Sequence, residues 1–375
     1  MSQRPNHARL ESVDCLRGGA ALAVVIHHAV RYGAAQPYDL WFRGGFKVLD
    51  LGHLGVPMFF VLSGFCIHLS WAKRYAAGAS SEPAFIDFWK RRLYRLYPPY
   101  LTALCLSMAL VLVAYQVRAD VPLVTLYPEP RLRWMMFDFI AHLGMLHGLH
   151  PVFDKAGGNP PFWTLAREEY FYLMYFVLLA WRRVVGLKLT AGLVLLLGLT
   201  FPPAVATLLP AGSPWWRVVS TSAVVLWVQW CLGMVSAEAF LGIVRLPRCC
   251  SAPYFIPVWA CFALVGDVNG SALSVPLWGM TFFTLLNACV AREVAGCWPQ
   301  GRVARWLADV GLSSYSLYLI HNPVRAVTKQ LLGPVAATTD PMFYLCNVAL
   351  MILTSYFAGR LFFFWVERRF LFRGP

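Results

Sequence analysis

Charge is what this sequence has least of. Only 13% of its 375 residues are Asp, Glu, Lys or Arg, about half the share that a soluble globular domain carries. With 59% of residues hydrophobic and a mean hydropathy of +0.57, that scarcity excludes a water-soluble domain. It leaves a chain built to cross a bilayer many times. The net charge is +14, from 32 Lys and Arg against 18 Asp and Glu. Nucleic acid is nevertheless not the expected partner, because the basic residues sit at the ends of apolar runs rather than along one stripe. That distribution orients a protein in a membrane.

Other absences narrow the class further. The ten cysteines form no C-x-x-C pair, so neither a disulfide framework nor a zinc site is expected; they read as small packing residues, and no metal is predicted. Ser63 in "LSGF" lacks the G-x-S-x-G strand-to-helix elbow of a hydrolase nucleophile, and Ser63-Gly64 reads as close helix packing instead. There is no internal repeat, low-complexity linker or appended soluble domain, so residues 1–375 are expected to form a single integral membrane domain. No cleavable signal is expected, since Asp14 and Arg17 interrupt the apolar start of the first span.

What is present is helical. Apolar runs predict an all-α polytopic transmembrane bundle of about ten spans, near 14–31, 52–71, 98–117, 166–182, 189–208, 217–239, 252–267, 272–291, 312–330 and 342–365. Fifteen Trp and 16 Tyr suit interfacial belts. The stretch 134–150 contains Asp138, His142, His147 and His150 and reads as a re-entrant or interfacial helix. Basic residues are in excess in the inner segments of this arrangement, so both termini are expected to be cytoplasmic.

Polar residues inside apolar runs mark the candidate site. In "RGGAALAVVIHHAV" (17–30), Asp14, Arg17 and His28 share one helical face, with His28 about 16 Å further along the axis than Arg17. Intramembrane ionisable groups face a bundle interior or watery cavity, although a snorkelling Arg17 and packed histidines would give the same pattern. Arg92 and Arg95 in "FWKRRLYRLYPPYL" (88–101) share a face just before Pro98 and Pro99 begin the next span. Such a pair either sets topology or holds phosphate oxygens. "FWTLAREEYFYLMYF" (162–176) places Arg167, Glu168 and Glu169 at an outer span end, and "SSYSLYLIHNPV" (313–324) buries His321 before a helix-kinking Pro323.

In order, R-x10-H, "FFVLSGF", R-x-x-R, "WTLAREEYFY" and "YLIHNP" resemble the acyltransferase-3 family of integral membrane O-acyltransferases, which includes bacterial polysaccharide and Nod-factor O-acetylases. The resemblance runs from residue 10 to residue 324. It implies transfer of an acyl group, most simply acetyl, from acetyl-CoA (acyl-CoA) to a hydroxyl of a carbohydrate or glycoconjugate, in the bacterial cytoplasmic (inner) membrane. The family's first-helix Arg and His fall on Arg17 and His28, its R-x-x-R on Arg92 and Arg95, and its acidic pair on Glu168 and Glu169. His28 is the expected base, because imidazole cycles at neutral pH. Arg17, Arg92 and Arg95 are expected to bind the cofactor phosphates, with Arg17 alternatively paired to Asp14. Glu168 and Glu169 would orient the base, bind acceptor hydroxyls or pair with Arg167; His321 would line the same cavity or pack. Departures from the family pattern are His27 for a common aromatic, Pro57 and Met58 for an acidic residue and a leucine, Arg167 for an apolar residue, and Tyr170 for a glutamine. His53, His68, His142, His147 and His150 receive no catalytic role, since no partner spacing supports one. The rival class is a polytopic transporter or flippase, in which the same Arg and His would line a substrate or proton path. No pair of interrupted repeat helices favours it.

Overall fold

The apolar runs fold as helices, and no strand occurs among the described residues. The computed structural model describes residues 10–32, 51–78, 84–116, 130–154, 157–332 and 341–371. In chain order the helices are α1 (Glu11–Tyr32), α2 (Gly55–Ala76) behind a 3-10 turn Leu51–Leu54, α3 (Phe85–Gln116), α4 (Arg131–Leu143), α5 (Trp163–Val185) and α6 (Leu187–Ala206). They continue with α7 (Trp215–Ser220), α8 (Ala223–Phe240), α9 (Ile256–Val268), α10 (Ser274–Val294), α11 (Arg302–Leu312), α12 (Ser314–Leu332) and α13 (Pro341–Phe362). A π-helical stretch, Phe363–Glu367, leads into α14 (Arg368–Leu371).

Among the described residues, seven stretches are long and apolar enough to cross a membrane: α1, α2 with its leading turn, α3, α6, α7 with α8, α10, and α13 with α14. The chain is therefore an all-α, multi-pass membrane protein. Of the other expected spans, 166–182 lies in α5, 252–267 in the short apolar α9, and 312–330 is divided at Ser313 between α11 and α12. Both chain ends lie outside the described residues.

Three boundaries differ from expectation. Pro98 and Pro99 do not begin a helix but sit inside α3. Two prolines remove only two donors, and Phe88 holds the preceding turns by ring contacts to Tyr172, Tyr175 and Phe176 of α5 at 6.1, 5.5 and 5.3 Å. The 134–150 stretch is the 13-residue α4 followed by a reversal. At about 1.5 Å per residue α4 is too short for a hydrocarbon core of about 30 Å. Tyrosine hydroxyls bind the carbonyls at that reversal: Tyr97 donates to Leu143, Tyr170 to Met145, and Tyr100 to His142, whose carbonyl also accepts from the Met145 amide. The 217–239 span is broken at Thr221–Ser222, and Arg167 fills the break. Its Nε donates to the Thr221 carbonyl at 2.7 Å, while Nη1 donates to Gly148 O at 2.9 Å and Nη2 to Asp154 Oδ1 at 2.7 Å. Arg167 thus pairs with Asp154 rather than with Glu168 or Glu169.

Contacts divide the chain into two units. The first comprises Met1–Leu22, Leu54–Ser81 and Val228–Ser314. Here α2 and α8 touch backbone to backbone: a Cβ on Gly64 would overlap the Trp230 carbonyl oxygen, and one on Gly233 would overlap that of Val61. Ser63 Oγ accepts from Trp230 Nε1 beside this crossing. A second crossing joins α1 to α11, where Gly18 meets the Leu307 carbonyl and Gly311 that of Asp14. Small residues allow such approaches in lipid, where packing replaces hydrophobic drive. The α1 N-terminus is capped from α10, whose Glu293 carboxylate accepts from the amides of Glu11 and Ser12 at 2.8 Å each. His68 and Glu238, both buried, hydrogen-bond at 3.0 Å between α2 and α8.

The second unit comprises Ala23–His53, Glu82–Trp227 and Tyr315–Pro375. Its core gathers Tyr100, Leu104, Phe162 and Leu319 from α3, the turn before α5 and α12. The antiparallel register of α3 and α5 follows from Tyr100 against Phe162 at one end and Phe88 against Tyr175 at the other.

Two outcomes test this packing. Gly64→Val should force α2 and α8 apart and cost about 1–3 kcal/mol, seen as a lower unfolding midpoint in detergent, whereas Gly19→Ala, with open space around its Cβ position, should leave it unchanged. Arg167→Met should cost about 3–5 kcal/mol by stranding Asp154. Adding Asp154→Asn should recover part of that loss, and strict additivity in the double-mutant cycle would contradict the pairing.

Candidate active site

In the second unit the last turns of α1 bring His28 against His321 of α12, with ring centroids 4.9 Å apart and the rings edge-on at 62°. Nδ1 of each lies 2.8 Å from a main-chain carbonyl of its own helix, Val24 for His28 and Tyr318 for His321. A carbonyl can only accept, so Nδ1 carries the proton and Nε2 keeps the lone pair. Nε2 of His321 is buried and has no hydrogen-bond partner among the described residues. An orphaned buried nitrogen is costly in a structural role and useful when a substrate group completes it.

The turn of α12 that carries His321 is held from outside the helix. Pro323 has no N–H, so the Leu319 carbonyl loses its intrahelical donor; Asn159 Nδ2 replaces it at 2.6 Å. The Tyr318 hydroxyl lies 2.6 Å from Thr164 Oγ1 and 3.0 Å from the Pro161 carbonyl. The segment 159–164 therefore fixes His321 through the residues before it. On its other side the same segment meets a second imidazole pair: His147 is 3.0 Å from the Phe162 carbonyl and stacks on His142 at 3.8 Å. His142 in turn lies 3.0 Å from Asp138. Burial, reinforced by His142, holds the His147 imidazole well below its ordinary range, and its Nδ1 is buried without a hydrogen-bond partner among the described residues.

His28 also touches His27, at 5.1 Å, and His27 touches His53 of the 3-10 turn, at 5.5 Å. Neither His27 nor His53 was assigned a role from spacing. No residue interval in the sequence links position 53 to α1. Gly52 provides the link, because its missing side chain lets the turn lie directly on Ala23 and His27.

Arg92 of the R-x-x-R pair faces the acidic pair across α3 and α5. The half-buried Arg92 guanidinium sits 3.7 Å over the Phe88 ring and 5.5 Å from that of Tyr172. Its charge acts on both Glu168 and Glu169. The Tyr172 hydroxyl donates to Glu168, and Glu169 Oε2 is buried without a hydrogen-bond partner among the described residues. Arg95 is exposed and, like Glu169, acts electrostatically on Tyr315 at the start of α12. Tyr315 precedes His321 by six residues, about 9 Å along the helix axis. Asp14 and Arg17 belong to the first unit, Asp14 buried and Arg17 half-buried on α1. Among the described residues no group of three His, Cys, Asp or Glu is placed to hold a metal ion.

This arrangement offers a lone-pair nitrogen inside a helical bundle and, two turns of α12 away, a partly exposed cluster of two arginines and two carboxylates. It suits proton abstraction at one end and anion binding at the other.

The chain is similar to several known proteins. The Bacillus subtilis (strain 168) protein YrhL, whose name marks it provisionally as a peptidoglycan O-acetyltransferase, is 26% identical over 390 residues, covering 97% of this chain and 55% of its own length. BcsY of Komagataeibacter xylinus, provisionally named a membrane-bound transacylase, is 28% identical over 335 residues, covering 86% of this chain and 75% of its own. The O-acetyltransferase OatA of Staphylococcus aureus is 23% identical over 330 residues, 84% of this chain and 50% of its own. The chain spans about half the length of YrhL and of OatA. No solved structure matches it. The acyltransferase-3 profile, described as an acyltransferase domain, matches residues 10–360, and with nearly the whole chain covered, from the turn before α1 to the end of α13, the protein belongs to that family.

Proposed function

We propose that the protein is a membrane O-acetyltransferase that moves an acetyl group from acetyl-CoA to a hydroxyl of a peptidoglycan-type glycan or another cell-envelope polysaccharide. The observation that carries this is the His28–His321 pair, with both Nδ1 atoms committed to main-chain carbonyls and a buried Nε2 waiting for a partner. His28 Nε2 takes the acceptor hydroxyl proton as the oxygen attacks the acyl carbonyl. His321 lines the same space and hydrogen-bonds the acceptor.

The donor needs an anchor for phosphates at one end of an extended arm. Arg95, exposed and beside the start of α12, suits that role better than Arg92, which is committed to Phe88, Tyr172 and the acidic pair. Glu169, with its orphaned oxygen, accepts from a hydroxyl or amide of the bound substrates. The glycan acceptor rests on the name of YrhL and on the family, and a bacterial cytoplasmic membrane is the location where such acceptors are assembled.

The test is free-thiol release from acetyl-CoA by purified protein, with and without soluble amino-sugar glycan fragments. Acceptor-dependent release should fall by about 10²–10⁴-fold in His28→Ala. In Arg95→Ala the apparent KM for acetyl-CoA should rise roughly tenfold, as expected for one lost charge-assisted contact, with kcat much less changed. Full activity in a folded His28→Ala variant would overturn the assignment of the base.

A further inference from the structure

We propose that His27 and His53 continue the His28–His321 pair outward as a proton path, carrying the proton that the base takes from the acceptor hydroxyl to water at His53. The proposal rests on the acyl-transfer reading above and adds to it two residues that family resemblance does not assign. Three ring contacts run in series, His321 to His28 at 4.9 Å, His28 to His27 at 5.1 Å and His27 to His53 at 5.5 Å. His321 and His27 are buried, His28 is half-buried, and His53, at the far end of the series, is exposed.

His28 Nδ1–H is held by the Val24 carbonyl, so the proton that Nε2 takes also leaves from Nε2, an exchange that imidazole makes near neutral pH. The electrostatics favour outward movement. Arg325, which grips Asn322 one turn beyond His321, is a fixed cation within reach of both His28 and His321. A proton resting on either ring is repelled by it, and His53 is the relief. Titratable groups among the described residues nearby include the tyrosines Tyr318 of α12, 5.6 Å from His321, and Tyr344 of α13, which donates to the Val30 carbonyl. Neither supplies an anion at neutral pH.

The balance closes without a further reactant. The hydroxyl O–H bond breaks as the new ester C–O bond forms and the thioester C–S bond breaks. The proton passes to His28 Nε2, then through His27 to His53 and to water, and the departing thiolate takes a proton from water on its own side.

The experiment compares the full chain with His53→Ala, His27→Phe and His28→Ala, using acetyl-CoA and amino-sugar glycan fragments, with added imidazole as the probe. His53→Ala should lower kcat on the order of tenfold or more, within the range of general acid–base effects, with KM for acetyl-CoA unchanged, and imidazole should restore it in proportion to its free-base fraction. His27→Phe keeps an aromatic ring in place but should lose activity that imidazole does not restore. An unchanged kcat in His53→Ala, or a loss that imidazole fails to rescue in a folded protein, would overturn the path while leaving acyl transfer intact. A parent without acceptor-dependent thiol release would instead overturn the acyl-transfer reading itself.

Discussion

Inside a bilayer no water is available to satisfy a main-chain N–H or C=O, so every irregularity in a helix must be completed by another part of the protein. The site is built out of that constraint. Pro323 opens the Leu319 carbonyl and Asn159 closes it. The break at Thr221 is closed by Arg167, which simultaneously ties down Gly148 and Asp154. The reversal after α4 is closed by three tyrosines from α3 and α5, and the amide of Ser316 at the start of α12 is capped by Glu367. Each repair is a long-range contact, so the position of His321 depends on chain segments far from it in sequence. Substitutions at Asn159 or Glu367 would act on the site without touching any substrate.

Much of this was legible in the sequence, and for a clear reason. Apolar content and helical spacing determine which stretches can be spanning helices, and a polar residue inside such a stretch must face protein. His28, His321, Glu169 and the tight packing at Gly64 follow from those two rules. What the sequence did not carry is which remote group completes each polar atom. Arg167 stands next to Glu168 in sequence, yet its partner is Asp154, because a helix points neighbouring side chains about 100° apart and Thr221, Gly148 and Asp154 receive its guanidinium. His53 was passed over for the same reason, since its approach to His27 depends on the missing side chain of Gly52, a contact that no spacing encodes.

The R-x-x-R pair shows how far spacing can mislead about role. Three residues apart on a helix, Arg92 and Arg95 share a face and would be expected to act alike. Phe88, one turn before Arg92, breaks the equivalence: its ring and carbonyl both receive the Arg92 guanidinium, and Tyr172 stands on the other side. An arginine held in that way gives up the conformational freedom and the hydrogen-bond donors needed to follow a ligand. Its charge instead balances Glu168 and Glu169 and keeps two adjacent carboxylates compatible inside the bundle. Arg95, past the reach of that cage and directly before the two prolines, keeps its donors for solvent or substrate. Pro98 and Pro99 also withdraw the amides that would have met the Tyr94 and Arg95 carbonyls. One motif thus divides into a caged arginine beside the acidic pair and an exposed one.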